Sequence, residues 1–122
     1  MKIVVPVSND KKTTYKRTGR APYFAVYDNR QFLKTVENIH ARKHEDNEHH
    51  EENSEEEVEN HRKDISNIAD CDIILVKTIG KNMAQALDSF GIKIEKIEHK
   101  DTVFAKDAVE AYINKSNKQM FS

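Results

Sequence analysis

Residues 72–91 read DIILVKTIGKNMAQALDSFG, an aliphatic run followed by a segment that lies between two glycines. Residues 73–76 are all aliphatic, which is typical of a strand that is covered on both faces. Gly80 follows the strand as a turn residue, and Gly91 stands where a helix would end. Between the two glycines, apolar residues recur at helical spacing, namely Met83, Ala84, Leu87 and Phe90. The stretch therefore predicts a buried strand followed by an amphipathic helix, as in a right-handed crossover between parallel strands.

Three segments before this unit have the composition of strands. Residues 2–7 are a short β-branched run, residues 22–27 are aromatic and β-branched, and residues 32–39 alternate loosely between apolar and polar types. Residues 28–31 begin with Asp-Asn, a turn signal, and join the second and third segments as a hairpin. The three strands therefore suit an antiparallel meander.

Two helices and one strand complete the pattern. Residues 55–70 carry an apolar stripe at helical spacing, and residues 92–97 contain three isoleucines in a short strand. The last helix is expected to begin at Asp101 or Thr102, which can cap it. The order β-β-β-α-β-α-β-α predicts an α/β fold with three α/β/α layers and a mixed five-stranded sheet in the order 3-2-1-4-5.

The composition fits one domain with one polar insert. The chain has 122 residues and a formal net charge of −1, and this length suits a single core. The domain is assigned to residues 1–115, with a His/Glu-rich insert at about 40–57 and a frayed tail at 116–122. No apolar run approaches the length of a membrane span, and the start is too short an apolar run for a signal peptide, so we expect a cytoplasmic protein with no membrane partner.

Charge is distributed unevenly along the chain. Residues 2–20 hold six basic residues against Asp10, whereas residues 43–64 hold ten acidic ones. A protein that binds duplex nucleic acid needs a sustained basic face, so no nucleic-acid partner is expected. The insert at about 40–57 also contains histidines, and four of them are candidate zinc or nickel ligands: His40, His44, His49 and His50. Their spacing is not that of a fixed site, and a solvated loop has the same composition, so both interpretations stay open. His61 is interpreted as a partly buried helix residue.

Two short motifs are candidates for ligand binding. Gly19 permits a tight backbone beside Arg20, which can bind an anion or a carboxylate. Ile79 and Gly80 lie between a buried strand and a helix, where ligands tend to bind in open α/β sheets. The alternative for Gly80 is a purely structural turn, because the chain has neither a Gly-x-Gly-x-x-Gly nor a P-loop motif. No motif of a catalytic nucleophile or metalloprotease occurs either, which makes catalysis less expected without excluding a site formed in the folded protein.

Several segments, taken in order, resemble the dinitrogenase iron–molybdenum cofactor biosynthesis family, which includes nitrogenase accessory factors. They are residues 1–8, residues 19–24 (GRAPYF), Glu37-Asn38, residues 70–76 (DCDIILV), Ile79-Gly80, residues 84–87 (AQAL), residues 91–93 (GIK) and residues 102–112. The resemblance implies a ribonuclease-H-like fold and a non-catalytic protein that binds or carries iron–sulfur or iron–molybdenum cofactor precursors. It also implies partners that donate or accept metalloclusters. The family's usual His-Phe before Gly-Arg is Arg17-Thr18 here, and its frequent Gly-Gly before Ile-Gly is Lys77-Thr78.

The resemblance also defines a candidate cofactor-binding set, which is Arg17, Gly19, Arg20, Cys71, Ile79 and Gly80. The arginines would complement an anionic cluster, and Cys71 or a histidine from the insert would supply a ligand. Cys71 is the one cysteine of the chain, and its flanking aspartates favour a structural role instead. Two other functions stay open: a divalent-metal-binding protein that acts through the insert, and a regulatory module whose acidic insert docks a basic partner.

Overall fold

The computed structural model describes residues 1–41, 55–97 and 103–121. The five strands are β1 (Lys2–Val7), β2 (Tyr23–Asp28), β3 (Gln31–Glu37), β4 (Ile73–Val76) and β5 (Lys93–Lys96). The helices whose bounds the structure gives are α1 (Glu55–Asp64), α2 (Lys81–Ser89) and α3 (Ala105–Phe121), and residues 39–41 are helical as well. The strands and α1 to α3 follow one another along the chain in the predicted order β-β-β-α-β-α-β-α.

The sheet has the predicted strand order, β3-β2-β1-β4-β5. β1, β2 and β3 form the antiparallel meander, while β4 runs parallel to both β1 and β5. In the register, Val4 lies opposite Val26 on one side and Ile74 on the other. β1, β4 and β5 therefore end at one edge of the sheet, which we call the carboxyl edge. The opposite edge is the amino edge.

Side chains alternate between the two faces of the sheet and build two apolar cores. On one face, α2 and the turn that follows α1 cover strand residues such as Phe24 and Ile74 with Leu87 and its neighbours. On the other face, α3 covers residues such as Val5 and Leu75. Full burial of one large aliphatic side chain stabilises the folded state by about 1.5–3 kcal/mol. Because each face of the sheet has its own apolar core, helices are held against both faces, and this gives the three layers.

The C-terminal end of α2 agrees with the sequence prediction, whereas the C-terminal end of α1 does not. Gly91 has a φ of +78°, and the backbone N–H of Ile92 donates to the carbonyl of Leu87, so α2 ends as predicted. α1 ends earlier than predicted, at Asp64, and a 3₁₀ turn follows at Ser66–Ile68. The chain leaves α-helical geometry at Ile65 (φ −107°, ψ 14°).

The last helix, α3, runs from Ala105 to Phe121. α3 continues to Phe121, beyond residue 116 where a frayed tail was predicted. Residues 105–121 contain no proline or glycine, so no residue of the segment interrupts the helix. The predicted capping residues Asp101 and Thr102 lie outside the described residues, as does most of the predicted insert.

Candidate functional site

Residues 8–20 connect β1 to β2 and cross the carboxyl edge; we call them the crossing loop. The start of the loop is organised by Asp10, whose carboxylate accepts hydrogen bonds from the backbone N–H groups of Lys12 and Thr13, both at 2.8 Å. The hydroxyls of Ser8 and Thr13 donate to the same carboxylate. These bonds hold the pKa of Asp10 well below its usual range. Asp10 therefore stays ionised, and its charge is bound within its own loop.

The crossing loop is joined to the segment that follows β4. The backbone N–H and the hydroxyl of Thr18 donate to the carbonyl of Thr78, at 3.1 and 2.8 Å. The backbone N–H and the hydroxyl of Thr78 donate in turn to the carbonyl of Lys16, at 2.9 and 2.8 Å. Four hydrogen bonds thus fix the loop beside Gly80 and the start of α2. The structure thus brings together two motifs that are far apart in the sequence, since Thr18 and Thr78 are separated by 60 positions.

The carboxyl edge is strongly basic. The cations of the crossing loop and of the segment after β4 are Lys11, Lys12, Lys16, Arg17, Arg20, Lys77 and Lys81. None of them forms a salt bridge with a carboxylate in the part of the chain that the structure describes. Arg17 and Arg20 are exposed, and α2 begins next to them with no acidic residue in its first turn. A helix N-terminus carries partial positive charge, so the edge as a whole favours an anion.

A buried polar cluster lies under the crossing loop. His40 (6% exposed) and Asp64 (3% exposed) form a buried side-chain pair, with Nδ1 of the imidazole 3.1 Å from Oδ2 of the carboxylate. The ring of His61 (7% exposed) packs on that of His40, with centroids 3.8 Å apart. Asn38 links the cluster to the loop, because its side chain donates to the Thr18 carbonyl and accepts from the His40 backbone N–H.

The structure describes two of the insert and helix histidines discussed above. It places His40 in the protein interior, where its imidazole is paired with the carboxylate of Asp64. His44, His49 and His50 lie outside the described residues. His61 is a buried helix residue, close to its prediction. No group of three or more His, Cys, Asp or Glu side chains is arranged to hold a metal ion in residues 1–41, 55–97 and 103–121. These residues give no support to a zinc or nickel site.

Cys71 lies away from the other candidate residues. It precedes β4 at the amino edge, where Asp70 pairs with Lys2, whereas Gly80 follows β4 at the carboxyl edge. Thr78 lies seven positions after Cys71 along extended chain, so the two residues are roughly 20 Å apart at the rise per residue of a strand. The thiol is buried in the core under α1 and α2, and this burial, with the charge of Asp70, raises its pKa to about 11. Cys71 therefore does not belong to the site formed by Arg17, Gly19 and Gly80.

A family model and several solved structures are similar to this chain. The family model described as Nitro_FeMo-Co, dinitrogenase iron-molybdenum cofactor, matches residues 1–115. No curated protein gives a significant match. The apo form of the orange protein from Desulfovibrio gigas aligns with a TM-score of 0.67 and 19% identity, over 93% of this chain and 87% of that one.

Two further solved structures align over nearly the same extent. A candidate NifB protein of the DUF35 family from Thermotoga gives a TM-score of 0.64 at 18% identity, over 93% of this chain and 87% of that one. A candidate dinitrogenase from Methanocaldococcus jannaschii gives 0.59 at 14% identity, over 93% and 88%. At these identities the alignments show a common fold. Within the described residues, no helix is long and apolar enough to cross a membrane.

Proposed function

The chain belongs to the dinitrogenase iron-molybdenum cofactor family, and we propose that it is a non-catalytic protein that binds and carries an anionic iron–sulfur or iron–molybdenum cofactor precursor. In this proposal the precursor is cargo, received from one metallocluster protein and delivered to another in the cytoplasm. The cargo binds at the carboxyl edge, between the crossing loop and the start of α2. No step of covalent catalysis is assigned to the protein.

The observation that carries the proposal is the positive charge of the carboxyl edge, which no carboxylate of residues 1–41, 55–97 or 103–121 pairs in a salt bridge. Iron–sulfur cofactors of this kind are anionic, and Arg17 and Arg20 are exposed cations fixed on a loop whose backbone is held by hydrogen bonds. An ion pair at 4 Å is worth about 1 kcal/mol in water and about 4 kcal/mol near a protein surface. Two arginines therefore account for a binding contribution of about 2 kcal/mol or more.

The test removes this charge locally. Arg17→Ala/Arg20→Ala is compared with Arg30→Ala/Lys34→Ala, which removes the same charge from the β2–β3 hairpin, away from the carboxyl edge. The probe is an iron–thiomolybdate anion prepared from ferrous iron and tetrathiomolybdate without oxygen, and its Kd is measured by absorbance titration.

We expect the Arg17/Arg20 variant to bind about 10- to 100-fold more weakly, since 1.4 kcal/mol corresponds to a factor of ten. The Arg30/Lys34 variant should stay within about threefold of the wild type, because screening weakens charges beyond about 8–10 Å. Equal losses in the two double variants would mean that only net charge matters, and the assignment of the site would be abandoned.

A further inference from the structure

Two exposed apolar side chains lie beside the basic surface of the carboxyl edge. Val103 is 51% exposed and Phe104 is 49% exposed, and both precede the first residue of α3. Single exposed apolar side chains are common, whereas adjacent ones rimmed by polar residues are typical of interaction sites. We call Val103 and Phe104 the apolar pair.

The apolar pair is joined to the crossing loop by main-chain contacts. The backbone N–H and the hydroxyl of Thr14 donate to the carbonyl of Val103, at 2.7 and 3.1 Å. Thr13 and Phe104 form an antiparallel β-bridge. The same loop carries the two arginines of the proposed cargo site, so a molecule that contacts the apolar pair lies next to the cargo.

Phe104 occupies a position where a polar residue would stabilise the helix. Its carbonyl accepts from the backbone N–H groups of Asp107 and Ala108, at 3.1 and 3.2 Å, so Phe104 stands at the N-cap of α3. Ser, Thr, Asp and Asn are favoured at an N-cap, because their side-chain oxygens bond to the free N–H groups of the first turn. A phenyl ring cannot do this, and about half of the residue stays exposed. The stability of α3 therefore does not account for this side chain, whereas recognition of another molecule does.

The surroundings of the apolar pair are basic. Residues 8–20 and 103–108 together carry six basic and two acidic residues. Of the two acidic residues, Asp10 is bound within its own loop and Asp107 lies in the first turn of α3. The carbonyl of Lys12 accepts from the first backbone N–H of α3 at 2.8 Å, so this lysine lies beside the apolar pair. The charge of this surface is therefore complementary to that of an acidic one.

We infer that the apolar pair and Lys12 form the docking surface for a partner protein, a donor or acceptor of the cargo, whose contacting surface is acidic around an apolar recess. The inference rests on the proposed function, and it adds to the cargo site the surface by which another protein reaches it. At protein interfaces, aromatic side chains that enter a recess carry much of the binding energy, and the surrounding charges steer the encounter. A lipid surface fits less well, because a helix that lies in a membrane interface has a long apolar face, whereas the pair is two side chains before a helix.

The test uses a peptide probe, which requires neither the cargo nor an identified partner. Random twelve-residue peptides displayed on phage are selected on the full chain at low salt, and the dominant peptide is synthesised with a fluorescent label. We expect its sequence to combine Asp or Glu with an aliphatic or aromatic residue. Fluorescence anisotropy then gives its Kd for the wild type and for each variant.

Three variants locate the binding of the peptide. Phe104→Ser should weaken it at least about 10-fold, as truncation of a central aromatic side chain does at interfaces. The new serine is a favoured N-cap residue, so thermal unfolding of this variant should show no loss of stability. Lys12→Ala should weaken the peptide about two- to fivefold, as expected for one exposed charge pair. Phe32→Ser removes a phenyl group of matched exposure, 51%, near the β2–β3 turn at the amino edge, and should keep the Kd within about twofold because distant sites act independently.

The outcomes separate this inference from the proposed function. If no peptide is enriched, or if the peptide binds Phe104→Ser as tightly as the wild type, the docking surface is overturned, while the carrier function stands or falls with the iron–thiomolybdate titration. Peptide binding through Phe104 in a protein that does not bind the anion would overturn the carrier function, and with it the identity of the partner as a cargo protein.

Two further measurements test other occupants of the apolar pair. Sedimentation with vesicles of anionic phosphatidylglycerol that is lost in Phe104→Ser would assign the pair to a lipid surface. Concentration-dependent dimerisation in the ultracentrifuge that is lost in the same variant would assign it to a second copy of the chain. Either result would overturn the assignment to a partner protein.

Discussion

The thiol of Cys71 provides a direct test of the placement of the binding site at the carboxyl edge. Cys71 is 6% exposed and its pKa is raised to about 11 from an ordinary value of 9.0. Burial is the larger cause, and the charge of Asp70 acts in the same direction. At pH 8 about 1 in 10 thiols with the ordinary pKa is a thiolate, whereas about 1 in 1,000 is a thiolate at pKa 11. Alkylation of the folded protein should therefore be about 100-fold slower than that of the urea-unfolded chain.

The assay follows iodoacetamide alkylation by mass spectrometry, in buffer and in 8 M urea, from pH 7 to pH 10. The rate in buffer should keep rising steeply through pH 10, while the rate in urea should reach half of its maximum near pH 9 and approach a plateau by about pH 10. The raised pKa also predicts that stability from the neutral thiol is fully present below pH 9 and is lost as the pH rises toward 11.

A second prediction about Cys71 concerns binding and uses the Cys71→Ala variant. Because Cys71 lies at the amino edge, the variant should bind the iron–thiomolybdate anion with the wild-type Kd, while losing about 1–2 kcal/mol of stability through the cavity left in the core. A folded Cys71→Ala protein that no longer binds the anion would refute the placement of the site at the carboxyl edge. Alkylation in buffer within threefold of the rate in urea would refute the reasoning about burial.

Three further outcomes follow from the fold and the charge of the edge. Gly91→Ala should reduce the free energy of unfolding by about 1 kcal/mol, because Gly91 has a φ of +78°, and a midpoint in urea equal to that of the wild type would contradict this. Leu87→Ala should reduce the free energy of unfolding by about 2–5 kcal/mol, because the Leu87 side chain is fully buried on the inner face of α2, and thermal unfolding would measure this loss. Binding of the anion should weaken at least about 10-fold between 0.1 and 1 M salt, as the screening length falls from about 10 to about 3 Å; an affinity independent of salt would exclude charge as its main source.

Much of the fold was predictable because its signals are local. Residues 73–76 and the two glycines around α2 define a strand, a helix and its end without reference to distant residues. The end of α1 was less predictable. Ile65 and Ile68 are three residues apart, a spacing that fits both a continued helix and the 3₁₀ turn observed, and only the packing of both side chains in the core distinguishes them.

The site was predictable only in part. Arg17, Gly19 and Gly80 follow β1 and β4, which are parallel neighbours, so their proximity follows from the topology. Cys71 precedes β4, and the same topology excludes it from that edge. No short sequence motif predicts the pairing of His40 with Asp64, because the two residues are 24 positions apart and the sequence between them is mostly polar. Such a pair is recognised only when the packed structure brings both side chains into the interior.

The structure of the crossing loop also suits a carrier, which must release what it binds. The backbone of the loop is fixed on several sides, by Val103 before α3, by Thr78 after β4 and by Asn38 after β3. A backbone ordered in advance loses little entropy on binding, and this favours affinity. The cations on the loop are exposed, so a partner with its own charges can reach them. An affinity that depends on exposed charge falls when a competing surface arrives, and a cargo held mainly in this way can pass from one protein to another without a change of fold.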